Sequence, residues 1–315
     1  MNESFIRTAL TAIALAVVFS LPATAHSEEK TVQTEIPVYT RLPDLMVGKQ
    51  PDAKTMEALG EELATGTGYV RKDIVDLLDQ VRRLTPPGYE LRTPEVIALL
   101  VGPGFAKADG ARSNAMEMLY KYASPATLSP YGDVFMRALK ERADGFVLTL
   151  IAKAKTLEAR EEVDRLSRLP EWSKPGDSNR DAIRIARAAL GDTKIEDEFI
   201  AEANRLEAED KAYELGSALY QLAQIGTRRS LQAVCQRMRS PMIIDLVSAY
   251  MRAIRLEAID ALMYAFPERA KFFSVSTDDD YIRIEQFCTQ ELGVDFRGKP
   301  RPGFFTYQGY PSSRE

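Results

Sequence analysis

The sequence of 315 residues predicts an all-α protein. Three observations lead there. Apolar residues recur at helical spacing over most of the chain, as in Val70, Ile74, Leu77, Leu78, Val81 and Leu84. No stretch alternates apolar and polar residues for more than about five positions, so the period of a half-buried strand is missing. A helix–turn–helix pattern also occurs twice. Leu190-Gly191-Asp192-Thr193 and Ile225-Gly226-Thr227-Arg228 hold the same place in each copy, 35 residues apart. That spacing is in the range of helical repeats.

Residues 1–25 have the build of a secretory signal peptide. Arg7 supplies the positive start, Thr8 to Leu21 the apolar run, and Pro22 the break before the small residues Ala23-Thr24-Ala25. The run is about 14 residues, too short to span a bilayer comfortably. Cleavage is expected after Ala25, with export to the periplasm of a bacterium or beyond it. No cysteine stands at the cleavage site, so a lipid anchor is not expected. No later apolar run reaches membrane length, so no membrane insertion is expected after cleavage. Residues 26–55 are polar and broken by prolines, and read as an extended leader.

Residues 56–170 read as an irregular helical array. A first helix starts near Met56. The Val70–Leu84 stripe ends at Pro86-Pro87-Gly88. Thr93-Pro94-Glu95 starts the next helix with a hydroxyl cap, a proline at the first helical position and a carboxylate at the positive end of the dipole. Gly102-Pro103-Gly104 stops it. Further helices are expected over residues 113–122, 131–143 and 145–169, with residues 124–130 as a loop and Asp144-Gly145 as a break. In the last of these, Phe146, Leu150, Ala154 and Leu157 keep helical spacing. Residues 169–177 (LPEWSKPGD) form the best linker. They hold the single tryptophan, Trp172, expected as a plug against neighbouring helices.

Residues 177–292 carry the repeats. The first helices present Ile183, Ala186 and Leu190, then Leu215, Leu219, Leu222 and Ile225. The second helices present Ile195, Phe199, Ala203 and Leu206, then Leu231, Val234 and Met238. A shift of 35 places Phe199 on Val234, Ile200 on Cys235 and Ala203 on Met238. Each pair has more apolar surface than two helices hide between themselves, so neighbours must cover it. The phrases ALGDTKIEDEFI and LAQIGTRRSLQAV resemble the unit of bacterial HEAT-like repeat proteins. The resemblance covers two copies over residues 178–240, without the family's usual proline in the first helix and without a clean third copy. It implies a short right-handed α-α superhelix that binds another protein.

Ile243 to Phe266 is expected to be helical, meeting near Ile254, as a degenerate repeat closed by Pro267. Thr277-Asp278-Asp279-Asp280 has two readings. Its carboxylates suit a hard cation, but it lacks the glycine turn and alternating ligands of a calcium loop. Thr277 as N-cap with Asp280 three residues on makes a capping-box start instead. Residues 293–315 hold Phe296, Phe304, Phe305, Tyr307 and Tyr310 among Pro, Gly and Arg. This tail reads as a strap over the last helices, or as a segment that folds on a partner.

Several chemistries lack residues. With 41 basic and 46 acidic residues and no basic block, nucleic acid is a poor partner. The only histidine is His26 at the expected new N-terminus, so serine and cysteine triads and multi-histidine metal sites are missing their imidazole. Gly102-Pro103-Gly104 and the Gly66/Gly68 stretch lack the rest of a phosphate-binding loop. Glu61, Glu62, Glu161 and Asp164 keep a carboxylate-dependent enzyme on an α/α scaffold open as an alternative, beside a structural or stress-related envelope protein. Glu161-Glu162, Glu196-Asp197-Glu198 and the pair Glu207 and Glu209 read as helix starts or solvated faces. No cofactor or metal set is expected. Cys235 and Cys288 either pair in an oxidising compartment or stay as two buried thiols. The reading reached is an exported, non-enzymatic, protein-binding scaffold. Its candidate surface is Asp192, Lys194, Arg228, Arg229, Gln232 and Gln236, exposed by periodicity.

Overall fold

The computed structural model describes residues 53–84, 94–172, 178–246 and 250–301. The signal peptide, most of the leader, and Phe304, Phe305, Tyr307 and Tyr310 lie outside them. The architecture is all-α, with one short antiparallel ribbon.

The N-terminal part runs through α1 (Ala53–Thr65), α2 (Gly68–Leu84), α3 (Pro94–Val101), α4 (Gly110–Tyr122), α5 (Pro125–Leu128) and α6 (Gly132–Glu141). Helix α2 buries Ile74 and Leu78 of its stripe against α4. Helix α4 begins three residues before the expected Ser113, because Asp109 caps it by accepting from the Ala111 and Arg112 amides at 3.1 and 3.2 Å. The expected loop 124–130 is instead α5 and a 3-10 turn, with Ser124 as cap and Pro125 at the first position. Arg71 is 0% exposed and ties the end of α1 to the turns after α3 and before α4. Its guanidinium donates to the carbonyls of Leu63, Pro103 and Gly104 and pairs with Asp109 at 2.7 Å.

The expected single helix over 145–169 is two helices, α7 (Gly145–Ala154) and α8 (Arg160–Ser167), around a 3-10 turn at Leu157–Ala159. Lys155 breaks it by turning left-handed (φ 56°), and its amide bonds back to Ile151 and Ala152. Leu157, expected on the buried stripe, is therefore 57% exposed, and Phe146 at the other end of the stripe is 50% exposed. Trp172 is buried and packs on the helix that follows, as a plug would.

Two more hairpins follow: α9 (Ser178–Ala189) with α10 (Thr193–Ala208), and α11 (Ala212–Ile225) with α12 (Arg228–Gln236). Gly191 (φ 107°) and Gly226 (φ 60°) end the first helices, and Asp192 and Thr227 cap the second ones. Lys155 stands 36 residues before Gly191, close to the 35 that separate Gly191 from Gly226, but α8 packs on α9 and starts without a side-chain cap. First helices pack successively, α7 on α9 and α9 on α11. All apolar positions predicted for the two repeats are buried except Ile200, which is half-buried.

Residues 243–253 are not helical. Strands β1 (Ile243–Leu246) and β2 (Tyr250–Ala253) pair antiparallel, Ile243 facing Ala253 and Leu246 facing Tyr250. The β-branched pair Ile243-Ile244 behind Pro241 favours this extended start, and short apolar runs look alike in either state. Gly216 makes room for the ribbon: a Cβ there would lie 3.3 Å from the Ile244 side chain. Helix α13 (Ile254–Ala265) then packs along α11, and α14 (Asp278–Gln290) against α12. Thr277 and Asp280 form the capping box, and Asp280 is held at about 2 by the Ser276 and Thr277 donors. Among the described residues no acidic cluster is arranged for a metal ion. Cys235 of α12 and Cys288 of α14 are joined by a disulfide with Cα atoms 5.8 Å apart. Phe266, Phe272, Phe273 and Phe287 stack beside it, and Phe296 is buried under Arg239. Among the described residues no helix is long and apolar enough to cross a membrane.

A candidate site at the hairpin breaks

The left-handed turn at Lys155 sets two amines at one joint. Lys153 lies in the last turn of α7, on the side that faces α4 and α13, and is 4% exposed. Its ammonium donates to the Tyr120 carbonyl and sits 4.3 Å from the centre of the Tyr264 ring. Tyr120 and Tyr264 pack with centroids 4.8 Å apart, and Gln224 Nε2 donates to the Tyr120 hydroxyl at 2.6 Å. Burial pushes the Tyr264 phenol well above its ordinary range, with Tyr120 adding to it. Both rings therefore stay neutral and offer their faces to the cation.

Lys155 itself reaches across the stack and donates to the Ile225 carbonyl, at the C-terminal end of α11. A cation is favourable there because the last carbonyls of a helix are unpaired and carry its negative pole. Burial nevertheless brings this amine down to about 8, against an opposing pull from Glu196. Between these groups lies a cavity of about 230 Å³. Lys153, Lys155, Gln224 and Tyr264 give it polar or aromatic faces, and Leu231 and Phe266 give it apolar ones.

A second polar cluster lies on α13. Arg252 of β2 spans Glu257 and Asp260, and Tyr220 of α11 stands near them. Burial raises both carboxyls, with Arg252 pulling them back. Here two carboxylates converge, and the Arg252 guanidinium bridges both. The earlier candidates do not form such a set. Asp164 pairs with Arg187 of α9 at 3.1 Å, and Glu61 lies exposed on α1.

The predicted binding surface divides. Lys194, Arg228 and Gln236 are exposed. Arg229 is exposed but pairs with Asp197 and lies 3.6 Å from Glu196. Asp192 is not free surface: it caps α10 and pairs with Arg187 at 2.7 Å. Gln232 is half-buried and donates to the Leu292 carbonyl at 2.6 Å. Periodicity alone marked both as outward; Asp192 is engaged by its own helix start and Arg187, and Gln232 by the turn after α14. Glu196, read as part of a solvated helix start, is 4% exposed and accepts from Thr227 at the start of α12.

Sequence reasoning missed Lys153 and Lys155. The trace was two cations within the apolar run FVLTLIAKAK, which the helical stripe assigned to Leu150 and Ala154. Compared with known proteins, the chain matches no family model and has no significant match to a curated protein or a solved structure.

Proposed function

We propose that this chain is an exported, non-enzymatic scaffold of the bacterial envelope that binds another protein through a short HEAT-like, right-handed α-α superhelix. The observation that carries it is the succession of first helices α7, α9 and α11, packed one on the next and each ended by a left-handed residue at Lys155, Gly191 or Gly226. Such an array leaves rows of helix faces and turns open along its length, the surface that stacked repeats use for recognition. Lys194, Arg228 and Gln236 supply exposed polar contacts on the second helices. Phe146 and Tyr213, 50% and 64% exposed, each stand second in the first helix of their hairpin. Exposed aromatic residues of this kind are enriched among interface anchors.

The test is co-purification of the chain from His26 onward with envelope extract, read by quantitative mass spectrometry. The comparison is the triple variant Lys194→Glu, Arg228→Glu, Gln236→Glu. Arg229 is left alone because it pairs with Asp197. A protein retained by the native chain, lost by the variant and rebound in purified form supports the scaffold. Identical lists for both chains count against it.

A further inference from the structure

We propose that the cavity between α7, α11 and α13 is a binding site for a small organic carboxylate with an apolar body. The inference stands apart from the scaffold reading, because the site lies within the joint and not on the outer helix faces. Its volume of about 230 Å³ is below the roughly 300–1,000 Å³ of pockets that take drug-sized ligands, so the ligand is small. Two lysine side chains line it, which disfavours a cationic ligand. The Lys153 ammonium is already occupied by the Tyr120 carbonyl and the Tyr264 ring. That leaves Lys155 as the group that meets the ligand's charge.

Among the described residues Lys155 donates one hydrogen bond, to the Ile225 carbonyl, while an ammonium offers three donors. The acid that acts on it from α10, Glu196, is itself engaged by the Thr227 hydroxyl and lies 3.6 Å from Arg229. Glu268 sits on the rim and is exposed. A ligand carboxylate would therefore be the direct counter-ion of a half-buried amine, gaining a charge-assisted hydrogen bond in a partly dry site. The remaining walls favour carbon over a second charge. Leu231, Ala223, Ala265 and Phe266 present aliphatic or aromatic surface, so a bare inorganic anion would leave them unused.

The probe is benzoate, titrated calorimetrically into the full chain, with benzamide as its neutral isostere. Benzoate is expected to bind one per chain and at least tenfold more tightly than benzamide. Lys155→Met is expected to weaken benzoate at least tenfold and leave benzamide unchanged. Ala126→Trp, at an exposed residue of the rim, is expected to block both ligands by filling the opening, and keeps the test alive if the lysine variant fails to fold. Equal affinity for benzoate and benzamide would overturn the proposal. So would undiminished benzoate binding by Lys155→Met or Ala126→Trp, or the lack of any saturable benzoate heat.

Discussion

The N-terminal array and the hairpin stack solve the same problem by different means. Both must satisfy the backbone groups that helices leave open at their ends. In the array, single buried arginines do this for irregular loops. Arg71 gathers the Leu63, Pro103 and Gly104 carbonyls together with Asp109. Arg112 donates to the Phe105 carbonyl and to Glu141. In the stack, Gly191 and Gly226 each make a left-handed break followed by a capped restart, and cations reach the end of a later first helix. Arg160 donates to the Leu190 carbonyl and Lys155 to that of Ile225. A repeated solution spreads its energy over many equivalent joints. An irregular one concentrates it in one side chain.

The disulfide should give the largest effect, and it closes the stack at its far end. It links residues 53 apart in sequence, across α12 and α14. Constraining the unfolded chain over such a loop is worth about 4 kcal/mol in the chain-entropy account. The double change Cys235→Ala, Cys288→Ala should lower unfolding free energy by about that amount in urea, and a reductant should then add nothing. Next comes Arg71→Met. It leaves an acid and three carbonyls short of their donor, and removing one partner of a buried pair costs about 3 kcal/mol. Arg160→Met in the stack, where one carbonyl loses the donor of an exposed side chain, should cost no more than about 1 kcal/mol. Equal losses for the two would break the contrast between concentrated and distributed joints.

Lys155 supplies a pH test. Its folded-state value of about 8 lies below the ordinary 10.5. The unfolded chain therefore binds more protons between those values, and stability rises with pH across that window. Below about 8 the full cost of the buried charge is present. The groups around Lys155 are Lys153 on its own helix, Glu196 of α10, Tyr264 of α13 and Glu268 beyond it. The phenols bias the far alkaline end the other way, because burial raises Tyr120 and Tyr264. The informative quantity is thus the difference between the native chain and Lys155→Met. Discounted for partial exposure, that difference should shift by about 1–2 kcal/mol in favour of the native chain from pH 7 to pH 10. A flat difference would mean the amine keeps its proton at this joint.

How much of this the sequence disclosed follows from where the breaks fall. Gly191 and Gly226 announce their turns, because glycine takes positive φ at little cost, and the apolar positions around them are buried apart from the half-buried Ile200. The break at Lys155 was hidden because non-glycine residues seldom take positive φ, so nothing in the residue type marks a turn there. The β1–β2 ribbon was hidden because a four-residue apolar strand has no period distinct from a helix fragment. Asp192 and Gln232 looked outward by periodicity, which cannot show that Asp192 is spent on its own cap and Arg187, or that Gln232 meets the turn after α14. The cavity was least legible of all, since its walls come from five helices spread over more than a hundred residues, from Ala126 to Tyr264.

The smallest effects concern the breaks themselves. Gly226→Ala adds a Cβ at φ 60°, 3.3 Å from the Ala223 carbonyl, and should cost about 1 kcal/mol. Asp210, between α10 and α11, is the reverse case: an exposed aspartate already at φ 54°. Asp210→Gly relieves that strain but frees the unfolded chain, and the two terms oppose each other. Aspartate is one of the few side chains that tolerate this region, so the relief is less than other residues would show. The net gain should be no more than about 0.5 kcal/mol, visible as a slight rise in Tm. A clear loss instead would mean that the Asp210 side chain holds the turn, and that this link between hairpins is specified by a residue's chemistry and not by backbone freedom alone.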